Sequence, residues 1–190
     1  MSTLIFLDTG VLGKLIHPDV EQGKTRLAQN AESEVKDSIL EAIECTDWLT
    51  TLINEGYPVA ISEIANYEAR REHLRRISDR KSGLEEKQKA IKAIQKLDAL
   101  ITKKGVASFP VTCEEGNVMQ EAAELWAFAR NNSYVADDDA DLIIAAQAII
   151  IKRIGIDVII ATTDTEDFNR LLRQHHIEAR RWRDIIPNPP

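Results

Sequence analysis

Unbroken apolar runs alternate along this chain with apolar residues that recur every three or four positions. The first run, Leu4–Leu7, has no polar alternation and predicts a strand that is buried on both faces, as in a parallel sheet. The helical spacing between the runs predicts connecting helices. The strands are predicted at 4–7, 57–62, 106–111, 157–161 and 178–182, and the helices at 11–16, 38–56, 63–80, 84–104, 112–130, 139–151 and 163–175.

Strands that alternate with helices are typical of an α/β protein. We therefore predict a three-layer α/β/α sandwich around a mostly parallel sheet of four to five strands. A single domain is expected over residues 1–186, followed by a short tail at 187–190. It carries a polar insertion at about 17–38, too long for an ordinary connection, and an inserted helical segment at about 84–104.

Two helix starts are indicated by capping residues. Asp37 or Ser38 is placed to cap the second predicted helix. Thr112 and Glu115 have the spacing of a capping box before the helix that contains Trp126. These residues fix the predicted boundaries.

Charge and cysteine content narrow the class of protein. The formal net charge of −7 argues against a protein that holds nucleic acid by bulk electrostatics, but it is compatible with an acidic site neutralised by a bound metal. Cys45 and Cys113 are too few for a disulfide framework and are typical of reduced thiols. The N-terminus lacks a signal-peptide pattern and the apolar run Leu142–Ile151 is too short to cross a membrane. We expect a cytoplasmic protein without membrane contact.

Acidic residues follow several of the predicted strands. Asp8 ends the first strand and Asp164 follows the fourth directly. Because right-handed crossovers bring the carboxyl ends of parallel strands to one edge, acids at these ends should face a common pocket. Further acids near this edge are Glu63 and Glu68 after the second strand, and Asp139 and Asp141 at the start of the apolar helix. Clustered carboxylates need a cation between them, and Mg²⁺ or Mn²⁺ prefers such oxygen ligands.

Four blocks of sequence carry a resemblance to a known family. They are FLDTGVL at 6–12, Ile61-Ser62 followed by Glu68, DADLIIAA at 139–146, and Thr162-Thr163-Asp164 with Asp167-Phe168. In these blocks the chain resembles PIN-domain nucleases of the VapC type, which are ribonuclease toxins. The blocks stand in the order of that family and cover nearly the whole chain.

The resemblance implies a Mg²⁺- or Mn²⁺-dependent endoribonuclease and points to a role as the toxin of a toxin–antitoxin pair. It implies catalytic roles for Asp8, Glu68, Asp141 and Asp164, with Asp8, Asp141 and Asp164 as metal ligands. Auxiliary roles fall to Asp139, Asp167 and Thr162, and we add Glu63 from its place after the second strand. The chain departs from the family at Gly10, where an asparagine usually follows Asp-Thr.

Each of these residues also has a plainer interpretation. Asp8 could cap the following helix, and Asp164 could favour a helix N-terminus beside a Thr163–Glu166 capping box. Glu68 could form a salt bridge with Arg71. The arginines Arg70, Arg71 and Arg75 could contact the RNA backbone or could form a solvated helix face paired with neighbouring acids.

A second function is left open by the sequence. The chain could be a non-catalytic PIN-like module that binds RNA or a partner protein. In either case we expect a homodimer, and for a toxin we expect an antitoxin partner besides the RNA substrate.

Overall fold

Five parallel strands form one sheet at the centre of the protein. The computed structural model describes residues 3–20, 33–112, 116–132 and 139–186. The strands are β1 (Leu4–Leu7), β2 (Val59–Ser62), β3 (Val106–Phe109), β4 (Val158–Thr162) and β5 (Glu178–Arg181). Each strand lies where one is predicted, within two residues at each end.

Helices connect the strands and cover the sheet. They are α1 (Thr9–Leu15), α2 (Ser33–Asn54), α3 (Glu63–Ser78), α4 (Leu84–Ile101), α5 (Val118–Asn131), α6 (Asp139–Arg153) and α7 (Glu166–Leu172), with short 3₁₀ helices at Arg173–His175 and Trp182–Asp184. The result is an α/β sandwich around a parallel sheet, which confirms the predicted fold class. The inserted helical segment expected at about 84–104 is α4.

Two predicted helix starts are wrong. Helix α2 already begins at Ser33, before Asp37 and Ser38, because no glycine or proline interrupts the polar residues that precede them. Helix α5 is capped by Asn117, whose side chain accepts a hydrogen bond from the Gln120 N–H at 3.0 Å, and not by Thr112. Asparagine is among the strongest N-cap residues. Glu115, and likewise Cys113 and the middle of the polar insertion, residues 21–32, lie outside the described residues.

The core is built around α6, which is buried on almost every side. Eleven of its fifteen residues are buried, as an apolar pattern all round the helix predicts. The largest side chains that are fully buried around the sheet include Phe6, Ile61 and Ile144. Within the described ranges, no helix is long and apolar enough to cross a membrane.

The strand order β3-β2-β1-β4-β5 places a change of direction next to β1. From β1 the chain runs outward through β2 and β3, and then returns to continue on the other side with β4 and β5. In open α/β sheets, ligands bind at the carboxyl ends of the two strands where the order reverses. Here those strands are β1 and β4, and Leu7 pairs with Ala161 near the end of this ladder.

Candidate active site

Asp8 lies at the carboxyl end of β1, beside the end of β4. Its N–H donates to the Ala161 carbonyl at 3.0 Å, so the parallel ladder continues one residue beyond the strand. Although Asp8 occupies the N-cap position of α1, its side chain makes no capping hydrogen bond. Asp8 is only 7% exposed, and a carboxylate buried to this degree needs a partner. The capping interpretation of Asp8 is therefore wrong.

Thr162 supplies a partner to Asp8. Its hydroxyl lies 2.8 Å from Asp8 Oδ2 and 3.0 Å from the Asp164 carbonyl, and we assign its single proton to the nearer, charged acceptor. The same hydroxyl accepts from the Asp164 N–H at 3.0 Å. One fully buried side chain thus joins the ends of β1 and β4 and fixes the turn that carries Asp164.

The Asp164 side chain has a local structural role. Its Oδ1 accepts from the Glu166 N–H at 3.1 Å, at the start of α7. The Thr163–Glu166 capping box is wrong, because Thr165 is the N-cap residue and makes no side-chain capping bond. Asp164 is exposed. The prediction that Asp164 favours a helix N-terminus is therefore confirmed.

Glu68 approaches the same edge from α3. The Thr9 hydroxyl donates to Glu68 Oε2 at 3.1 Å, which brings Glu68 next to the residue that follows Asp8. The Glu68 side chain is 17% exposed and forms an ion pair with Arg71 at 3.6 Å. The salt-bridge interpretation and the placement near Asp8 are both confirmed. Thr9 was not singled out by the sequence, although its position directly after Asp8 is a usable signal.

The acids of α6 lie in its first turn. Asp139 is exposed, and Asp141 is half-buried. Both carboxylates are placed favourably for the positive end of the helix dipole. Asp137 and Asp138, which precede them in the acidic run, lie outside the described residues.

The two remaining auxiliary acids have contacts of their own. Glu63 Oε2 accepts from the Val111 N–H at 3.0 Å, which ties the segment after β3 to the start of α3. Asp167 is exposed and lies 3.8 Å from the Arg170 guanidinium. The auxiliary roles of Glu63, Asp139 and Asp167 stay predictions.

The arginines of α3 are largely engaged by acids. Arg70 pairs with Asp98 at 2.6 Å, and Arg75 pairs with Glu72 at 3.0 Å. Hydrogen bonds from Arg75 and then from Arg76 lower the pKa of the exposed Glu72 to about 2. The prediction of a helix face paired with acids is confirmed for these residues, and contact with RNA stays a prediction.

A buried polar network behind the site was missed by the sequence analysis. Gln147 is fully buried on α6 and accepts from the Ser62 hydroxyl at 2.6 Å, while its amide donates to the Pro110 carbonyl at 2.8 Å. Ser62 in turn caps α3 by accepting from the Ile64 N–H at 3.2 Å. A single glutamine within the apolar run 142–151 is the signal that could have found it.

A cavity of about 610 Å³ adjoins the acidic edge. It shares Thr9 and Glu68 with that edge and continues between α1, α3 and α4 past two histidines, His17 and His73. Burial, the largest cause, lowers the pKa of both histidines, and Arg76 lowers that of His73 further. Neutral imidazole is therefore the favoured form of both side chains near pH 7.

The donors at this edge are all oxygen atoms, which is the chemistry that Mg²⁺ and Mn²⁺ prefer. The arrangement of these donors does not form a closed metal site. Among the residues that the structure describes, no three Asp, Glu, His or Cys side chains converge closely enough to hold a metal ion. The structure brings Asp8, Thr162 and Asp164 together by hydrogen bonds, and Thr9 with Glu68. Metal binding by Asp8, Asp141 and Asp164 stays a prediction.

Comparisons with known proteins bear on the fold. No protein-family model matches the chain, and no curated protein matches it significantly. Among solved structures, it is similar to a chain in the crystal structure of VapBC2 from Rickettsia felis bound to a DNA fragment from their promoter. The sequence identity is 15% and the TM-score 0.53, over 93% of this chain and 98% of that chain. This likeness shows a shared fold, and the α/β sandwich is consistent with a PIN-like fold.

Proposed function

We propose that the protein is a metal-dependent endoribonuclease that hydrolyses phosphodiester bonds of RNA at the edge formed by β1 and β4. The observation that carries this proposal is the buried Asp8 carboxylate, which does not cap α1 and is joined through Thr162 to the turn of Asp164. A buried carboxylate held at the switch point of a parallel sheet is placed where such sheets bind ligands. The fold shared with VapBC2 supports the same assignment.

In this proposal Asp8, Asp141 and Asp164 hold Mg²⁺ or Mn²⁺, and Glu68 is the fourth catalytic acid. When bound, the cation would activate water and stabilise the leaving oxygen. Thr162 acts as a positioning residue, because its hydroxyl fixes the orientation of the Asp8 carboxylate. Thr9 has the same role for Glu68, because its hydroxyl holds Oε2 while Arg71 lies 3.6 Å from Oε1.

RNA is the proposed substrate, and the exposed arginines of α3 are its proposed backbone contacts. The side chains of Arg71 and Arg75 are 63% and 69% exposed. Their present acidic partners are on the same helix, and exposed pairs of this kind are weak. Phosphate groups would replace those partners at small cost. Arg70, which reaches across to α4, would contribute less.

We further propose that the protein is the cytoplasmic toxin of a toxin–antitoxin pair and that it forms a homodimer. The VapBC2 neighbour supports the first part. Exposed apolar side chains on the α3–α4 hairpin, among them Tyr67 at 55% and Leu74 at 48%, support a protein-binding surface. Co-expression with the product of a neighbouring small reading frame should neutralise cleavage. A monomer mass by light scattering at micromolar concentration would contradict the dimer.

The enzyme is tested by cleavage of a fluorescent single-stranded RNA with Mg²⁺, Mn²⁺ or EDTA. We expect cleavage that depends on metal. Asp8→Asn should lower it more than about 100-fold, because removing only an outer partner of a metal ligand typically costs about 10–100-fold. The matched control is Asp47→Asn, which removes the same charge at an exposed position of α2. Mn²⁺ should also raise the Tm of the wild type, because a ligand that binds only the folded state stabilises it. Asp8→Asn should abolish that shift.

A non-catalytic RNA-binding or protein-interaction module is the second candidate. It is favoured by one observation: Glu68 and Asp164 are already engaged by protein groups, and no three acids converge within the described part of the chain. If wild type and Asp8→Asn show the same background cleavage and both still bind RNA, the non-catalytic module would be supported and the enzyme proposal contradicted.

A further inference from the structure

The cavity beside the acidic edge has the size and position of a substrate subsite. Its volume of about 610 Å³ lies within the roughly 300–1,000 Å³ that is usual for small-molecule pockets. Two of its lining residues, Thr9 and Glu68, are the hydrogen-bonded pair that adjoins Asp8. A substrate group held at Asp8 therefore has the cavity directly beside it.

The charges around the cavity do not suit a phosphate group. Its described lining includes three carboxylates, those of Asp19, Glu68 and Glu72, and two permanent cations, Arg76 and Lys89. Both cations are already paired, Arg76 with Glu72 and Lys89 with Glu85, each at 2.9 Å. The two histidines add no full positive charge near pH 7, because burial lowers the pKa of each.

The lining does suit an uncharged, flat group with hydrogen-bonding edges. Ile16, Pro18 and Ala90 contribute apolar surface, and the imidazoles of His17 and His73 offer faces for stacking. The Nδ1 atom of His73 is buried and makes no hydrogen bond within the described residues. Because Nδ1 has almost no accessible surface, a ligand in the cavity would meet the other ring nitrogen, Nε2, which is not among the buried atoms without a partner.

We propose that this cavity binds a nucleobase of the RNA next to the scissile phosphate, with His73 Nε2 forming a hydrogen bond to the edge of the base. The proposal rests on the proposed ribonuclease function, since it assigns the neighbouring subsite of the same substrate. It makes His73 a specificity residue and leaves the chemistry to the acids at the sheet edge.

Gly13 offers a direct way to block the cavity. It lines the cavity, and a Cβ added to it would meet no atom within 4 Å. Gly13→Phe therefore attaches a phenyl ring to α1 at the cavity through a Cβ that meets no neighbour, and it also removes a glycine from a helix interior, which should not destabilise the fold. Gly13→Ala is the matched control, because it makes the same backbone change and leaves the cavity nearly open.

The test measures binding of the four nucleoside 5′-monophosphates in EDTA by NMR of the histidine rings, with ribose 5-phosphate and inorganic phosphate as probes without a base. We expect at least one nucleotide to shift the His73 signals, and ribose 5-phosphate to shift none. Gly13→Phe should weaken binding at least tenfold and Gly13→Ala less than twofold. His73→Phe should also weaken it about tenfold, and His73→Gln, which restores a polar atom near Nε2, should recover most of the loss.

Several results would overturn the proposal. Ribose 5-phosphate or phosphate binding as tightly as the nucleotides would make the cavity an anion site. Unchanged nucleotide binding in Gly13→Phe would place the base elsewhere. If none of the four nucleotides binds and a co-purified protein covers the cavity, the cavity would be a protein-binding groove.

These outcomes are separable from failure of the proposed function, because the binding test needs neither metal nor cleavage. Suppose that RNA cleavage requires Asp8 but nucleotide binding is unchanged in Gly13→Phe. This result would reject the base subsite and support the ribonuclease function. If Gly13→Phe blocks nucleotide binding but the protein cleaves no RNA, the base subsite would be supported and the ribonuclease function rejected.

Discussion

The Thr162 hydroxyl donates to the Asp8 carboxylate at 2.8 Å across a sequence separation of 154 residues. Because the same oxygen accepts from the Asp164 N–H, this side chain joins β1, β4 and the turn that follows β4. Both Thr162 and Asp8 are buried. The relationship fixes the position of the first acid and explains why it does not cap its own helix.

Thr162→Val should destabilise the protein by about 1–3 kcal/mol, because it leaves the Asp8 carboxylate and the Asp164 N–H without this partner at nearly unchanged volume. Thr162→Ser keeps the hydroxyl and should cost less. The control is Thr163→Val at the next, exposed position, which should stay within about 0.5 kcal/mol. Urea unfolding measures all three, and equal effects at 162 and 163 would contradict the assigned hydrogen bonds.

Gly10 packs against the loop after β4, and this contact predicts a coupling between two positions. A Cβ added at Gly10 would lie 2.4 Å from Thr163 Oγ1 and 3.3 Å from Thr163 Cγ2. Gly10→Ala should therefore be destabilising in the wild type, by about 1–3 kcal/mol if Thr163 cannot turn away.

In a Thr163→Ala background both Thr163 atoms are absent, and Asp8 Oδ2, at 3.3 Å, is the close neighbour that remains. Gly10→Ala should then become neutral or stabilising by up to about 1 kcal/mol, as expected for removing a helical glycine. The coupling energy of this double-mutant cycle should be at least about 1 kcal/mol. Additive effects would show that the loop after β4 moves away without cost. Close approach of Thr163 would then not explain why position 10 is glycine, where the resembled family usually has asparagine.

Much of this arrangement follows from the sequence, because the decisive signals are local. The apolar run Leu4–Leu7 ends at Asp8, and the run before Thr162 ends at Asp164, so parallel pairing alone brings both acids to one edge. The all-round apolar pattern of α6 likewise required a buried helix. Fold class and the gathering of these acids could therefore be predicted.

What could not be predicted depends on contacts between distant residues. Whether Asp8 caps a helix or accepts from Thr162 is decided by the register of β1 against β4. The start of α5 depended on a competition between Asn117 and Thr112, two acceptable capping residues that sequence alone cannot rank. The cavity arises where α1, α3 and α4 meet, and no single stretch of sequence reveals such a junction.

Gln147 should be more important for stability than its single polar side chain suggests. Gln147→Leu has nearly the same volume but leaves the Ser62 hydroxyl and the Pro110 carbonyl without their present partner. A buried group left unpaired costs about 1–3 kcal/mol. Since Ser62 is fully buried and Pro110 is exposed, we expect a loss of about 1–3 kcal/mol in urea unfolding.

The matched control is Gln120→Leu, because the Gln120 side-chain amide donates to Glu124 on the exposed side of α5. It should change stability by less than about 0.5 kcal/mol. Hydrogen exchange adds a local readout. The first turn of α3, which Ser62 caps, should lose protection in Gln147→Leu and not in Gln120→Leu. Uniform loss of protection would argue against a specific link from Gln147 to that helix.

The two cavity histidines predict how stability changes with pH. Burial, the first cause in each case, lowers the pKa of His17 and of His73 below 6.5 in the folded protein. A group whose folded pKa is lowered binds fewer protons in the folded state, so its contribution is present above the unfolded pKa and is lost as the pH falls. The urea midpoint should therefore drop between pH 7.5 and pH 5. The double variant His17→Asn/His73→Asn should flatten that drop. The control His176→Asn lies at an exposed left-handed position that asparagine tolerates, and it should not flatten the drop. A drop of equal size in all three proteins would show that other groups, such as the carboxylates or His175, control acid stability and that the cavity histidines do not.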